Sequence, residues 1–237
     1  MSNTILITGG ATRLGMMIAE HFASKDYNIA IHYNNSDQSA KQLVKTLSTS
    51  KNLIKSYQAN LLNHSAREHL IKTVLEDFSS LNILINNASI FNKTSFLDTD
   101  HQTIMEYLNL HLMAPFFLIQ YYAKLCKTGH VINITDTRIT KNKTDYFPYL
   151  LSNKSLSNLT LMLATELAPA IKVNEICPGK ILPSKDPKID ISDHILQKKL
   201  PSKKRSCASQ LIETINFIIN NNPIGQQFFV DGGEHLL

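Results

Sequence analysis

The chain has 237 residues, of which 43% are hydrophobic and 18% are charged, and its formal net charge is +5. These values are ordinary for a soluble globular protein, and the length fits one large α/β domain better than two small ones. The modest positive charge permits an anionic ligand, but the chain has no nucleic-acid-binding motif, so we expect no nucleic acid as a partner.

Short apolar runs alternate with longer stretches of helical periodicity along the whole chain. The predicted strands are Thr4–Thr8, Asn28–Tyr33, Leu53–Gln58, Leu81–Asn86, His130–Thr135, Lys172–Ile176 and Gln227–Val230. The predicted helices are Arg13–Ser24, Ser39–Leu47, Ser65–Phe78, His101–Leu125, Tyr149–Leu167 and Ala208–Asn220. Strand–helix alternation with nearly continuous apolar strands indicates a parallel sheet covered on both faces. We therefore predict one Rossmann-like, doubly wound α/β domain over residues 1–237, with about seven strands.

One stretch, residues 178–205, shows no clear element and contains Pro183, Pro187 and Pro201. A loop of this length inside a compact domain is usually functional or disordered, and we predict a substrate loop here. The basic residues near its end are read most simply as a solvated face, and the alternative is a rim that attracts anions. They are Lys198, Lys199, Lys203, Lys204 and Arg205.

The cysteines and the apolar stretches bear on location. Cys126, Cys177 and Cys207 have no C-x-x-C spacing, so the sequence predicts neither a disulfide framework nor a metal site. The N-terminus shows no signal-peptide pattern, and the longest apolar stretch, 107–123, is too interrupted to span a bilayer. We expect a cytoplasmic protein without a membrane partner.

A glycine-rich turn, T-G-G-A-T-R-L-G, joins the first predicted strand to the first predicted helix. Glycines let the backbone approach a pyrophosphate, and the helix N-terminus supplies unpaired N–H groups. The sequence therefore predicts a dinucleotide site. Its predicted members in this turn are Gly9, Thr12, Arg13, Leu14 and Gly15.

The end of the second strand indicates which dinucleotide binds. An NAD site favours an acidic residue there for the ribose 2′-hydroxyl, but the chain has Tyr33, Asn34, Asn35 and Ser36. A 2′-phosphate would meet no repulsion from these residues, and the Arg13 guanidinium could bind it. We predict NADPH rather than NADH, although Asn34 and Asn35 could also simply form a turn.

A second pair of residues points to proton transfer. Asp136 follows a predicted strand, and Tyr149 lies thirteen positions later on the next predicted helix. A carboxylate and a phenol brought together in this way could deliver a proton to a substrate between them. The alternative for Asp136 is an ordinary turn or helix cap.

Several motifs together resemble the short-chain dehydrogenase/reductases over the whole length of the chain. They are T-G-x-x-x-R-x-G, the run Asn86-Asn87-Ala88-Ser89, Tyr149, Pro178-Gly179 and V-D-G-G near the end. Within that superfamily the chain looks most like the pteridine and dihydromonapterin reductases. Four features carry this narrower resemblance: Arg13 in the glycine turn, Phe91 two residues after Ser89, Asp136 in place of a serine, and the ending D-G-G-E-H-L.

The resemblance implies a reductase that transfers hydride from NADPH to a C=N bond of a dihydropterin or dihydrofolate-like substrate, and a homotetramer. It adds cofactor contacts from Asn60, Leu61, Asn87, Ala88, Ser89, Pro178 and Gly179. It also implies substrate contacts from Ser89, Phe91, His111 and Gly179. Singly, Phe91 could be a core aromatic residue, and His111 a buried histidine with satisfied hydrogen bonds.

Asn153 departs from the superfamily pattern, in which a lysine usually stands four residues after the tyrosine. We predict a catalytic set of Asp136, Tyr149 and Asn153, with Lys154 about 100° away around the helix. The lost charge leaves two alternatives open: a catalytically weakened NADP-binding protein, or a carbonyl reductase acting on 3-oxoacyl substrates.

Overall fold

The computed structural model describes residues 3–48, 51–183 and 199–237. Its strands are β1 (Thr4–Ile7), β2 (Asn28–Tyr33), β3 (Ile54–Gln58), β4 (Ile83–Asn86), β5 (Gly129–Ile134), β6 (Ile171–Pro178) and β7 (Gln227–Val230). Its α-helices within those ranges are α1 (Arg13–Ala23), α2 (Asp37–Leu47), α3 (His64–Phe78), α4 (His101–Leu108), α5 (Ala114–Cys126), α6 (Phe147–Leu167) and α7 (Ala208–Asn221). The strands form one parallel sheet in the order β3-β2-β1-β4-β5-β6-β7.

Alternate residues of each central strand enter opposite layers of the core. In β1, Ile5 and Ile7 pack into one cluster with residues of α1, α2 and α7, whereas Leu6 packs into the other with residues of α3, α5 and α6. Because both faces are apolar and both are covered, the sheet is doubly wound, as the unbroken apolar strands predicted. The predicted Rossmann-like fold is confirmed.

The strand order reverses between β1 and β4, since β1 continues to β2 on one side and pairs with β4 on the other. In doubly wound sheets, ligands bind at this switch point, beyond the carboxyl ends of the strands. The turn after β1 and the loop after β4 meet there, and the segments after β5 and β6 follow along the same edge.

The single helix predicted over His101–Leu125 is wrong in one respect. Residues Asn109–Met113 form a π-helical turn between α4 and α5, in which the Ala114 N–H donates to the Asn109 carbonyl. Pro115 has no N–H to donate to the carbonyl of His111, so the regular ladder is interrupted at this point. This wider turn carries His111.

The predicted substrate loop, residues 178–205, lies only partly within the described chain. Pro178 ends β6, residues 179–183 continue from it, and 184–198 lie outside the described residues. The Ser202 N–H donates to the Gly232 carbonyl, so the end of the segment packs on the turn after β7. Across the described ranges, no helix combines the length and apolar character that a membrane span requires.

Candidate active site

The turn after β1 brings the backbone of residues 8–15, here called the glycine turn, very close to itself. Gly9 has a φ of +63°, which favours glycine, and a Cβ on Gly15 would collide with the Gly9 carbonyl oxygen. A Cβ on Gly10 would lie 2.9 Å from the Ile7 carbonyl oxygen. The turn thus keeps open the backbone cradle that a pyrophosphate would occupy at the N-terminus of α1.

The loop after β4 is fastened to the glycine turn by side chains. The Thr8 hydroxyl oxygen accepts hydrogen bonds from the N–H groups of Asn87 at 2.9 Å and Ala88 at 3.0 Å. The Asn87 amide donates to the carbonyl oxygens of Thr8 at 2.9 Å and Gly9 at 3.2 Å. The predicted cofactor residues Gly9, Asn87 and Ala88 are therefore brought together on one rigid edge.

His32, which we did not single out from the sequence, lies against the glycine turn and binds its backbone. Its Nδ1 accepts from the Gly9 N–H at 3.1 Å, and its Nε2 lies 3.0 Å from the Ala59 carbonyl oxygen, which fixes the proton on Nε2. Burial lowers the pKa of His32 to about 4, so the ring is neutral at physiological pH.

Arg13 has a left-handed backbone with a φ of +52° and an exposed side chain. Its Nη2 donates to the Pro183 carbonyl oxygen at 2.8 Å. Arg13 therefore connects the glycine turn with the segment after β6. The neighbouring predicted residues Thr12 and Leu14 lie in the same turn, partly buried.

The carboxyl end of β2 is more acidic than its four predicted residues suggest. Asp37 begins α2 directly after Ser36, and its carboxylate accepts from the Tyr33 hydroxyl at 2.8 Å and pairs with Lys41 at 2.8 Å. Asn34 and Asn35 are exposed beside it. Lys41 thus balances the charge of Asp37, and the strand end does not present an isolated carboxylate to a ligand.

Asn60 and Leu61 follow β3. The Asn60 Oδ1 accepts from the Leu62 N–H at 3.0 Å, which makes a local Asx-type turn. Leu61 is buried and lines a small pocket together with Thr8 and Ala88. Their predicted cofactor contacts remain predictions.

Asp136 and Tyr149 meet, as the sequence predicted. Asp136 follows β5 and caps a short 3-10 helix (Thr137–Thr140), while Tyr149 is the third residue of α6. The Tyr149 hydroxyl donates to Asp136 Oδ2 at 2.9 Å, and Asp136 Oδ1 accepts from the Arg138 N–H at 2.7 Å. Asp136 is therefore both a cap and a partner of the phenol.

Both groups of this pair hold their protons more tightly than free side chains do. Burial raises the pKa of the Asp136 carboxyl, although the Arg138 guanidinium opposes this shift. Burial, together with the Asp136 charge, raises the pKa of the Tyr149 phenol well above its usual value. At neutral pH the Tyr149 phenol accordingly keeps its proton, which it shares in a hydrogen bond with Asp136.

Phe91 lies beside this pair in an aromatic stack. Its ring is parallel to that of Tyr146, with centroids 4.4 Å apart and an angle of 9°, and it meets the Tyr149 ring edge-on at 4.8 Å. The Arg138 guanidinium carbon lies 5.2 Å from the Phe91 centroid and 5.1 Å from that of Tyr146. Because the two distances are nearly equal, the guanidinium lies beside both stacked rings, midway between them. Phe91 is still 42% exposed, so it can contact a ligand.

His111 lies deeper than this stack, and the exposed Ser89 lies against it. His111 Nε2 accepts from the Ile90 N–H at 3.1 Å and lies 3.2 Å from the Ser89 hydroxyl, while Nδ1 faces the Ser152 hydroxyl at 2.9 Å. Burial lowers the pKa of His111 to about 4. The ring therefore links the loop after β4 to α6 as a neutral group, and its predicted substrate contact remains a prediction.

Asn153 and Lys154 point in different directions from α6. Asn153 is buried, and its Nδ2 donates to the Tyr149 carbonyl oxygen at 2.9 Å. Lys154 Nζ donates to Asn142 Oδ1 at 2.7 Å, on the outer side of the helix. The straight-helix geometry predicted from the sequence holds, and Lys154 does not take the place of the absent lysine.

Pro178 and Gly179 bring the end of β6 to the same edge. The Gly179 N–H donates to the Val230 carbonyl, and a Cβ on Gly179 would lie 3.0 Å from Glu234 Oε2. The half-buried Glu234 carboxyl thus lies over Gly179. Burial, and then the Asp136 charge, raises its pKa.

Besides His32, the residues missed by the sequence reasoning are Tyr146, Arg138 and Glu234. Tyr146 stands eight residues after Arg138 and three before Tyr149. Three residues is about one helical turn, and this spacing was the available signal. Phe91, Asp136, Arg138, Tyr146 and Tyr149 are hereafter the Asp136 cluster. It combines an aromatic surface, a hydrogen-bonded phenol and carboxyl group, and a cation.

Comparison with known proteins agrees with this geometry. The family model described as short chain dehydrogenase matches residues 3–190. The chain is 27% identical to a dihydromonapterin reductase of Enterobacter sp. strain 638, over 98% of this chain and 96% of the relative. It is 25% identical to the 3-oxoacyl-[acyl-carrier-protein] reductase FabG of Staphylococcus epidermidis, over the full length of both.

A solved structure gives the same result. FolM alternative dihydrofolate reductase 1 from Brucella suis, in complex with NADP, superposes with a TM-score of 0.90 and 31% sequence identity. The match covers 99% of this chain and 96% of that one.

Proposed function

The chain belongs to the short-chain dehydrogenase family, and from this premise we propose that it is an NADPH-dependent reductase of a reduced pterin. Its place among the oxidoreductases follows from the family. The pterin substrate and the reduced cofactor NADPH are our proposal. One observation supports it above others: the Tyr149–Asp136 hydrogen bond lies directly beside the partly exposed Phe91 ring.

The residues present fit a dinucleotide. The cradle at Gly9, Gly10 and Gly15 is kept open where a Cβ would collide, and Arg13 offers an exposed guanidinium at its rim. When bound, NADPH supplies the hydride. We propose that Thr12, Arg13, Leu14 and the residues at 33–36 hold the adenosine half, and that Ala88, Ser89 and Gly179 lie beside the nicotinamide half.

We propose that Phe91 stacks one face of a flat heterocycle, because an aromatic surface with a few placed polar groups suits such a ligand. Reduction of a C=N bond adds hydride to carbon and a proton to nitrogen. The Asp136–Tyr149 pair would deliver that proton, since the Tyr149 phenol keeps its own proton at neutral pH. An imine nitrogen is basic enough to accept it without a strongly acidified phenol.

This chemistry also explains why Asn153 is tolerable. A neighbouring positive charge lowers the pKa of a phenol by about 1–3, and this lowering is lost when the charge is absent. A ketone reductase needs that help, because a developing alkoxide must take a proton as it forms. A C=N reductase needs it less, so we favour the pterin over the 3-oxoacyl alternative suggested by the FabG relative.

The test is NADPH oxidation by the purified protein with three substrate classes: dihydropterins, dihydrofolate and 3-oxoacyl thioesters. We expect turnover with the first class and inhibition by diaminopteridines. Turnover of thioesters alone would establish the carbonyl alternative. NADPH binding without turnover of any class would leave the catalytically weakened NADP-binding protein.

We also propose that the protein acts in the cytoplasm as a homotetramer. Several large apolar side chains are well exposed, among them Leu97 at 90% and Met162 at 69%, and subunit contacts would cover them. Light scattering after size-exclusion chromatography measures the assembly directly.

A further inference from the structure

A small pocket lies behind the Asp136 cluster, between α6, the π-helical turn and the loop after β4. Its polar lining residues include Asn86, Ser89, His111 and Asn153, and its apolar lining includes Leu110, Leu156 and Ile134. Among the described residues that line it, none is a lysine or an arginine. His111 is neutral because burial lowers its pKa to about 4.

One polar atom in this pocket has no partner. Asn86 is 4% exposed, and its Oδ1 is buried without a hydrogen bond from any described residue. The orientation of its amide is fixed by a chain of donors. Thr160 Oγ1 donates to the Leu156 carbonyl and therefore accepts from Asn133 Nδ2, and Asn133 Oδ1 then accepts from Asn86 Nδ2 at 2.8 Å. The atom without a partner is therefore the oxygen Oδ1 of Asn86. A buried oxygen is satisfied by a hydrogen-bond donor or by a cation.

Asn153 supplies a second amide to the same pocket. Its Nδ2 is used by the Tyr149 carbonyl oxygen, so the group it has left is again an oxygen. The Ser89 hydroxyl, which also lines the pocket, offers a further oxygen. Asn86, Ser89 and Asn153 can therefore offer uncharged oxygens to a space for about one water-sized species, which suits a small cation, whereas a carboxylate or phosphate would be repelled.

We propose that the pocket between Asn86, Ser89 and Asn153 binds a small monovalent cation, of the size of ammonium or potassium. The cation would satisfy the Asn86 oxygen and place a positive charge one helical turn from Tyr149. The ammonium of a lysine at position 153 would occupy the same space by way of a covalent tether. The proposal stands on this pocket and does not depend on the pterin assignment.

The test measures thermal unfolding of the ligand-free protein in ammonium, potassium and tetramethylammonium chlorides at equal ionic strength. A cation that binds only the native state raises Tm by about 3–5 °C for each tenfold excess over its dissociation constant at this chain length. We expect that rise with ammonium or potassium and none with tetramethylammonium, which is too large to enter. The difference between the two small cations shows which of them the pocket prefers.

Variants at position 153 make the test specific. Asn153→Asp adds a charge beside the cation and should enlarge the rise in Tm, whereas Asn153→Leu removes the oxygen and should abolish it. Lys154→Met, on the outer side of the same helix turn, should keep the response of the parent protein. A crystal soaked in rubidium chloride should show an anomalous peak between Asn86 and Asn153.

Equal Tm values in all three chlorides, or a rise that persists in Asn153→Leu, would overturn the proposal and leave only a buried water in the pocket. Because the measurement uses neither NADPH nor a pterin, its failure is separate from failure of the proposed reaction.

Discussion

The glycine turn and the Asp136 cluster stand at the same edge of the sheet but are built in opposite ways. At the glycine turn, Thr8, His32 and Asn87 satisfy the backbone with short hydrogen bonds. In the Asp136 cluster, the buried Arg138 Nη1 has no partner among the described residues. A ligand at the glycine turn therefore meets backbone that is already hydrogen-bonded. A ligand at the Asp136 cluster meets a polar atom that still lacks a hydrogen-bond partner. Binding a cofactor requires a rigid site, which the hydrogen-bonded glycine turn provides. Chemistry requires polar groups that are free to contact the substrate, which the Asp136 cluster provides.

The largest effect should come from removing the proton donor in the Asp136 cluster. Tyr149→Phe deletes only the hydroxyl that donates to Asp136, so kcat/KM for the pterin should fall by about 10²–10⁴-fold. NADPH affinity should change little, because the glycine turn is untouched. Steady-state kinetics and a fluorescence titration of NADPH measure the two separately. A parallel loss of both would show that the two regions are not independent.

The two buried histidines, one beside the glycine turn and one beside the Asp136 cluster, should produce the next largest effect. His32 and His111 both have pKa values lowered to about 4 from 6.5, so in the folded protein they resist protonation. As pH falls below 6.5, the unfolded chain binds protons that the native protein does not. Each histidine then lowers the free energy of unfolding by about 1.4 kcal/mol per pH unit, until the pH approaches 4.

Urea unfolding of the parent protein, His32→Gln and His111→Gln at pH 7 and pH 5 tests this prediction. Each variant should lose less stability than the parent protein over that interval. A parent-like pH response in His111→Gln would mean that this ring is protonated in the native state.

Arg13 should have a smaller effect, limited to the choice of cofactor. Arg13→Ala removes an exposed guanidinium at the rim of the glycine turn and should weaken NADPH relative to NADH by about 1.5–3 kcal/mol. Arg13→Lys keeps the charge but loses the planar guanidinium. Its preference for NADPH over NADH should lie between those of the parent protein and Arg13→Ala. Equal affinity of the parent protein for both cofactors would contradict the preference for NADPH.

The difference between the two regions also explains what could be predicted from the sequence. The fold and the glycine turn follow from short-range signals: apolar runs, glycine spacing and the N-N-A-S run. The Asp136–Tyr149 contact also followed, because a strand end and the next helix are close in any such fold. Tyr146, Arg138 and Glu234 enter the site through tertiary contacts that no local pattern records. The π-helical turn at Asn109–Met113 was missed because an apolar stretch there reads as one continuous helix.

The smallest effects are expected on α6, and they sharpen the comparison most. Asn153 faces the interior pocket, whereas Lys154 is held by Asn142 on the outer side. Asn153→Lys should raise kcat/KM, by roughly tenfold per unit of lowered phenol pKa at most, because it restores a charge near Tyr149. Lys154→Ala should leave kcat/KM within about twofold, since it removes only a surface hydrogen bond. Steady-state kinetics on the two variants and the double variant test both expectations.

If Lys154→Ala abolished turnover, Lys154 would have to reach the site in the working enzyme, and the helix would have to rearrange on cofactor binding. If neither variant nor the parent protein turned over a pterin while NADPH still bound, Asn153 would mark a site that binds its cofactor without catalysis.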